Sequence, residues 1–369
     1  MDRSGRNGHL ARLERAVGGE AVFDALVELP PRDLGSLLMA VLAARVDGIA
    51  PGDLLAQQER VAAFAPGTVD PRAALVVAQA AFEAAGAFEA VELAPVVPLG
   101  AATLLAGAHA NNVLTASRNA ELVADPTLSL ALLAALRRRP SDARARPLRL
   151  CALHRVMRMQ PPPMAGLLPH FRIFGLVTAD RRGGEDDALR EHIGVHLRLF
   201  RLLGDRGHRF EDIAIDVAHT GAVAHRLGED RLAAVRREVR THRWVDRDEL
   251  AARYGLEPLR GRVAEVLAGA RLPAPIERRL ERIDAAVLAP LARAYPEARL
   301  RLDLTRLAGL GYYDGPCLRI DARAPDGAIF NLCDGGFLPW TGQLLSDRGE
   351  RLLSTGLGAD LVCAKFAAG

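Results

Sequence analysis

The stretch AGLGYYDGP, residues 308 to 316, packs three glycines and two adjacent tyrosines into nine positions. Tyr312 and Tyr313 are half of the chain's four tyrosines. Phenols beside glycines suit either a hairpin or the wall of a small-molecule pocket, because glycine lets backbone approach a ligand closely. Asp125 and Thr127 offer a carboxylate and a hydroxyl two positions apart, the acceptors an ammonium group takes. Arg158 offers a guanidinium, which meets phosphate oxygens two at a time. HIGVH, with His192 and His196 at i and i+4, imitates part of a zinc motif, but the glutamate of HExxH is not in its place and no third ligand is evident. A surface helix is the simpler reading, and HTGAVAH, with His219 and His225, fares no better as a metal site. No metal site is expected. Lys365 is the only lysine, which nearly excludes chemistry built on a P-loop lysine or a Schiff base.

The elements that must position these groups are set by the rest of the chain. With 369 residues, half of them hydrophobic, it can bury a large core and suits one large domain plus an appendage, or two ordinary domains. A net charge of +3 says little about partners. Cys151, Cys317, Cys333 and Cys363 are spread out without metal or disulfide spacing, so buried reduced thiols are expected. The first residues have no apolar core of a signal peptide, and no apolar run approaches the roughly 18 residues a membrane span requires. A cytoplasmic location and no membrane partner are the expectation.

Residues 1 to 67 read as a helical N-terminal extension: HLARLERAVGGEAVFDALVEL, PPRDLGSLLMAVLAARV and APGDLLAQQERVAAF each open on a polar or proline start signal. Asp70 then caps an alanine-rich helix with Pro71 at its first position, and FEAVELAPVV follows as a strand closed by Pro95 and Pro98. NNVLTAS and AELVAD read as short strands, and Pro126 behind Asp125 opens the helix PTLSLALLAALRRR. PLRLCALHRVMRMQ and HFRIFGLVTA are strands joined by a short proline-rich loop, so antiparallel pairing is expected. Residues 185 to 204 and 229 to 293 are largely helical, and the last 70 residues return to short strands broken by glycine. Neither GxGxxG nor GxxxxGK[ST] occurs, and strands and helices lack a regular βαβ rhythm. The fold class is therefore α+β, with an antiparallel sheet flanked by helices.

Four segments in order, DPRAALVVAQAAFEAAGAFEAVELAPVV, ADPTLSLALLAALRR, CALHRVMRMQ with PHFRIFGLV, and LAGLGYYDGPCLRI with STGLGADLV, resemble the catalytic domain of class II aminoacyl-tRNA synthetases, histidyl-tRNA synthetase in particular. The resemblance covers residues 68 to 369. It implies a homodimer built on the first segment, motif 1. It places Asp125 and Thr127 in the family's amino-acid-binding RPEGT, Arg158 and Gln160 in motif 2, Tyr312 and Tyr313 in RGLDYY, and Gly356 and Gly358 in motif 3. These eight are the candidate ligand-binding residues. ATP with magnesium is the cofactor pair that the resemblance leaves open.

The departures from the family matter as much. Ala308 stands where RGLDYY has its arginine, and Gly311 where it has aspartate. Cys363 stands at the motif 3 arginine, and Ile173 and Val177 at the glutamine and glutamate that hold histidine. One preorganised charge contact is commonly worth about 2.7–4 kcal/mol in a barrier, so losing two argues against efficient adenylation. The segment after motif 3 that would bind the anticodon is not seen, which makes tRNA an improbable partner. The resemblance then implies a non-charging paralogue, similar to the regulatory subunit of ATP phosphoribosyltransferase, with that enzyme as its expected partner. The alternative is an ATP-dependent ligase activating a non-histidine amino acid or other carboxylate through Arg158, Asp125 and Thr127. Asp334, Gly335 and Gly336 fall where the synthetases have GGRYD, but Phe337 and Pro339 replace its polar members, and no site is read there.

Overall fold

The structure, a computed structural model, describes residues 8–159, 168–241 and 247–367. Four helices come first: α1 (Gly8–Ala16), α2 (Glu20–Glu28), α3 (Pro31–Val46) and α4 (Pro51–Arg60). The segment read as one helix over HLARLERAVGGEAVFDALVEL is two, because Gly18 and Gly19 take φ of 107° and 95° and break it. α5 (Pro71–Ala84) opens as its sequence predicts: Asp70 accepts from the Arg72 N–H at 2.9 Å, with proline in the first turn. Its Ala74, Val77, Ala80, Ala81 and Ala84 form a narrow buried face.

The expected strand FEAVELAPVV is also two elements. β1 (Glu89–Ala90) joins the main sheet, whereas β2 (Val96–Pro98) joins a small sheet of order β2-β4-β3 with β3 (Thr115–Ala116) and β4 (Ala120–Leu122). Pro95, with no N–H to donate, lies at the break. The short α6 (Ala101–Ala106) precedes β3, and α7 (Pro126–Arg137) follows β4.

The rest builds one sheet and its cover: β5 (Leu148–Met157), β6 (His170–Arg181), α8 (Glu185–Gly204), β7 (Glu211–His219), α9 (Thr220–Leu227), α10 (Glu229–Thr241), α11 (Arg247–Arg253), β8 (Arg260–Gly261), α12 (Val263–Gly269), α13 (Ala274–Ile283), α14 (Ala289–Ala294), β9 (Arg299–Asp303), β10 (Pro316–Arg323), β11 (Ile329–Leu338), α15 (Trp340–Leu345), β12 (Glu350–Gly358) and α16 (Ala359–Lys365). The nine strands run in the order β1-β5-β6-β12-β11-β10-β7-β9-β8. Pairing is antiparallel except for β1 with β5 and β7 with β9. The last strands are longer than expected, since Gly335 and Gly336 lie inside β11 rather than ending it. β7 is an element that the sequence analysis does not anticipate, although Ile213, Ile215 and Val217 alternate inward along it.

Strand alternation gives the sheet two unlike faces. The rear face, with Phe174, Leu176, Val217, Leu318, Leu353 and others, packs in one core cluster with α5, α8 and α14. On the front, Ile173, Val177, Leu338 and Leu352 pack under α7. Arg138 locks α7 to the start of β12 through two bonds to Glu350, at 2.8 and 3.0 Å, with both side chains buried.

α8 is not the surface helix its charged sequence suggests. His192 and His196 are both 0% exposed. His192 Nε2 lies 2.9 Å from the Thr178 hydroxyl, and the Thr355 hydroxyl lies 3.1 Å from His192 Nδ1 and 3.0 Å from His196 Nε2. Threonine hydroxyls on β6 and β12 thus give partners to both nitrogens of His192 and to one of His196, whose Nδ1 has none among the described residues. All four cysteines are buried and unpaired.

Candidate functional site

At the front of the sheet the first predicted group comes together. Asp125 caps α7: its Oδ1 accepts from the Thr127 N–H at 2.9 Å and from the Thr127 hydroxyl at 2.8 Å. Gly175 on β6 lets this helix start settle onto the strand, since a Cβ there would lie 3.0 Å from Pro126. Arg158 lies just beyond β5; its Nε donates to the Ala124 carbonyl at 2.9 Å, and its Nη2 reaches Asp125 Oδ2 at 3.3 Å. The guanidinium also stands 5.3 Å from the Phe171 ring centroid. Asp125, Thr127 and Arg158 are therefore one cluster, and its opposite charges face each other. An incoming ammonium or phosphate has to compete with that pairing. Gln160 lies outside the described residues.

The tyrosine segment is not a hairpin strand, in which adjacent side chains would point to opposite faces. With Gly309, Gly311 and Gly315 at φ of 92°, 81° and 96°, the segment is a compact turn, and both rings enter the same compartment. The two centroids are 4.8 Å apart, and Tyr312 lies 6.0 Å from Trp340. Tyr313 threads a slot between glycines: a Cβ on Gly309 would come within 2.5 Å of its ring, and one on Gly336 within 2.6 Å. Gly336→Ala is accordingly expected to cost about 1–3 kcal/mol as overpacking. Urea denaturation checks this, and a loss no larger than that of an exposed alanine substitution would disprove the slot.

Asp334, where no site was read, is the centre of the arrangement. The Tyr313 hydroxyl donates to its Oδ1 at 2.8 Å, and Arg306 Nη2 donates to both of its oxygens, at 2.7 and 2.8 Å. Arg306 Nε donates to the carbonyl of Ala308 at 3.1 Å. An arginine is thus present two residues before Ala308, but it is buried and engaged with Asp334. Burial, helped by the Asp334 charge, holds the Tyr313 hydroxyl well above its ordinary pKa, so it stays a donor.

Register extends the site across the sheet. Gly175, Gly356, Asp334, Arg319, Asp216 and Arg301 are successive neighbours on β6, β12, β11, β10, β7 and β9. Their strand parity puts all six on the front face, with Gly356 and Gly175 as its low end. Arg301 grips Asp216 at 2.7 and 3.0 Å, and Arg319 Nε donates to Asp321 at 2.8 Å. Arg260 lies 3.2 Å from Asp303. The sequence carries this signal as charges at every second position in RLRLD and LRIDAR, a period-two pattern that marks a polar sheet face. Gly358, at the end of β12, pairs with Ile173.

Ile173, Val177 and Cys363 lie in apolar surroundings. Ile173 and Val177 are buried with the α7 cluster. Cys363 packs with Val362 and Phe366 on the rear side, and burial pushes its thiol up to about 11. Asp360, on the same helix, holds Arg172 at 3.2 Å.

A capped helix running into a strand, two long antiparallel strands, and a final strand and helix on one large sheet define a class II synthetase-like fold of the histidyl-tRNA synthetase kind. Among solved structures the chain is similar to the ATP phosphoribosyltransferase regulatory subunit/histidyl-tRNA synthetase from Bacillus halodurans C, with a TM-score of 0.61 and 18% identity over 81% of each chain. Histidyl-tRNA synthetase from Nostoc sp. PCC 7120 gives 0.58 and 14%, covering 81% of this chain and 73% of that one. A histidine–tRNA ligase subunit from Alicyclobacillus acidocaldarius gives 0.58 and 16%, covering 82% and 95%. At these identities the likeness is one of fold. No protein-family model matches the chain, and no curated protein matches it in sequence.

Proposed function

We propose that this chain is a non-charging relative of histidyl-tRNA synthetase that acts as a regulatory or ligand-sensing subunit, of the kind the Bacillus halodurans protein's description names. Residues 1 to 67 would form its own arm and residues 68 to 369 the synthetase-like core, assembled as a homodimer. The observation that carries the reading is that front-face charges are already answered within the protein. Arg158 faces Asp125, Arg306 is bound to Asp334, and Arg301 to Asp216. Positions 308 and 363 hold alanine and cysteine. Such a face can hold a small polar ligand, but it offers little unpaired positive charge to the triphosphate of ATP and its transition state. Leu75, Val76 and Phe82 stand exposed on α5, the helix that resembles motif 1, which supports a homodimer face.

The expected partner is an ATP phosphoribosyltransferase. The chain should co-purify with the short form of that enzyme and change its activity. An enzyme unaffected by stoichiometric addition would sink the proposal. The ligase alternative draws on one observation, the grouping of Asp125, Thr127 and Arg158 at a partly exposed place. It requires amino-acid-dependent exchange of pyrophosphate into ATP, and we expect none with any amino acid.

A further inference from the structure

A second cleft opens on the other side of the tyrosine turn. It has a volume of about 420 Å³ and is bounded by Gly311, Asp314 and Gly315 of the turn, the start of α9, and side chains from α8, α10, α13 and β12. Arg351 alternates with the front-facing Leu352 along β12, so this cleft belongs to the rear of the sheet. Pockets of roughly 300–1,000 Å³ are the usual size for a small-molecule ligand.

Its chemistry is that of an anion site. Arg236 of α10, Arg279 of α13 and Arg351 of β12 reach it from three elements. Two acids in and beside the wall are paired, since Arg279 donates to Asp186 at 2.5 Å and Arg351 binds Asp314, whereas Glu185 accepts from the Gly183 N–H at 2.8 Å and keeps its charge. Arg236 is exposed and makes no ion pair or hydrogen bond among the described residues. Two further groups of the wall lack a partner, since Arg351 Nε and His219 Nδ1 are buried without any hydrogen bond. Leaving such groups unpaired is costly, by roughly 1–3 kcal/mol each, so a ligand that answers them gains what the free protein lacks. α9 begins at the same place with no side-chain cap; its Thr220 N–H is taken by the Gly315 carbonyl at 3.0 Å, and the N–H groups after it add a partial positive charge.

We propose that this cleft binds a small phosphate-bearing metabolite, gripped by Arg236, with the Arg351 Nε and the neutral His219 as further hydrogen-bonding partners. Donors arriving from three elements suit the tetrahedral arrangement of phosphate oxygens better than the two coplanar oxygens of a carboxylate. His219 is held to about 4 by burial first and Arg279 second, against the pull of Asp314, so it is uncharged at neutral pH. Tyr313 lines this cleft as well as the front-face compartment, so the two adjoin at the turn, and the proposal does not depend on the regulatory reading.

Calorimetric titration of the whole chain with inorganic phosphate and pyrophosphate tests it. Both should bind, and both should slow deuterium uptake over residues 309 to 316. Arg236→Ala, a change at an exposed residue, should weaken binding about tenfold or more. Arg158→Ala, on the front face, should leave affinity within about twofold. No binding of either anion overturns the proposal. So does binding that survives Arg236→Ala but is lost in Arg158→Ala, which would move the anion to the front face.

Discussion

Replacing Asp334 with alanine is expected to cost about 3–5 kcal/mol, the range for stranding a buried charge by removing its partner. Arg306 is 3% exposed, and its only ion-pair partner among the described residues is the Asp334 carboxylate. The loss would also leave the buried Tyr313 hydroxyl without its acceptor. The reverse change should be much milder. Arg306→Met leaves a carboxylate whose side chain is 39% exposed, still bonded to Tyr313 and reachable by water. The charge left behind is part-exposed and not stranded in the interior, so about 1–2 kcal/mol is expected. Urea denaturation at constant m separates the two variants. Equal losses, or a loss under about 1 kcal/mol for Asp334→Ala, would mean that the pair does not organise the front face.

The second large effect is with acid. Burial holds His192 well below its ordinary value, with His196 and Arg149 adding to the shift, and burial lowers His196 to about 3. In the unfolded chain a histidine titrates near 6.5. Below that value the unfolded state binds protons that the fold refuses, so stability is full above about 6.5 and falls as pH drops toward the folded value. For His196 alone the loss at about pH 5 is roughly 2 kcal/mol, and His192 acts in the same direction. His196→Gln removes one titrating group, so its stability should fall less steeply than that of the native chain between neutral pH and about pH 5. Denaturant unfolding at the two pH values measures the slope, and identical slopes would show that His196 is not buried neutral.

These two results concern the residues where sequence and structure differ most. HIGVH sits in a helix with three acids in its first turn and reads as solvated. Its burial depends on Thr178 and Thr355, which arrive on β6 and β12. The neighbours of Asp334 in sequence, Phe337 and Pro339, lack polar groups, and its importance comes from Arg306 and Tyr313, held on the turn between β9 and β10. In an extended chain two adjacent tyrosines would diverge to opposite faces. Left-handed glycines on either side put both rings on one side instead.

Local chemistry was legible without coordinates. Asp70 and Asp125 cap the helices that begin at Pro71 and Pro126 because a cap needs only the residue and the N–H two positions on. The order of motif-like segments and the α+β class likewise follow from neighbouring residues. Which charges meet could not be read the same way. Arg158 with Asp125, Arg306 with Asp334, and Arg301 with Asp216 join residues 33, 28 and 85 positions apart. Strand alternation assigns each charge to a face, but register chooses its neighbour, and a shift of one residue would turn every front-face charge into the rear core. The self-pairing of the front-face charges is therefore a property of the assembled sheet.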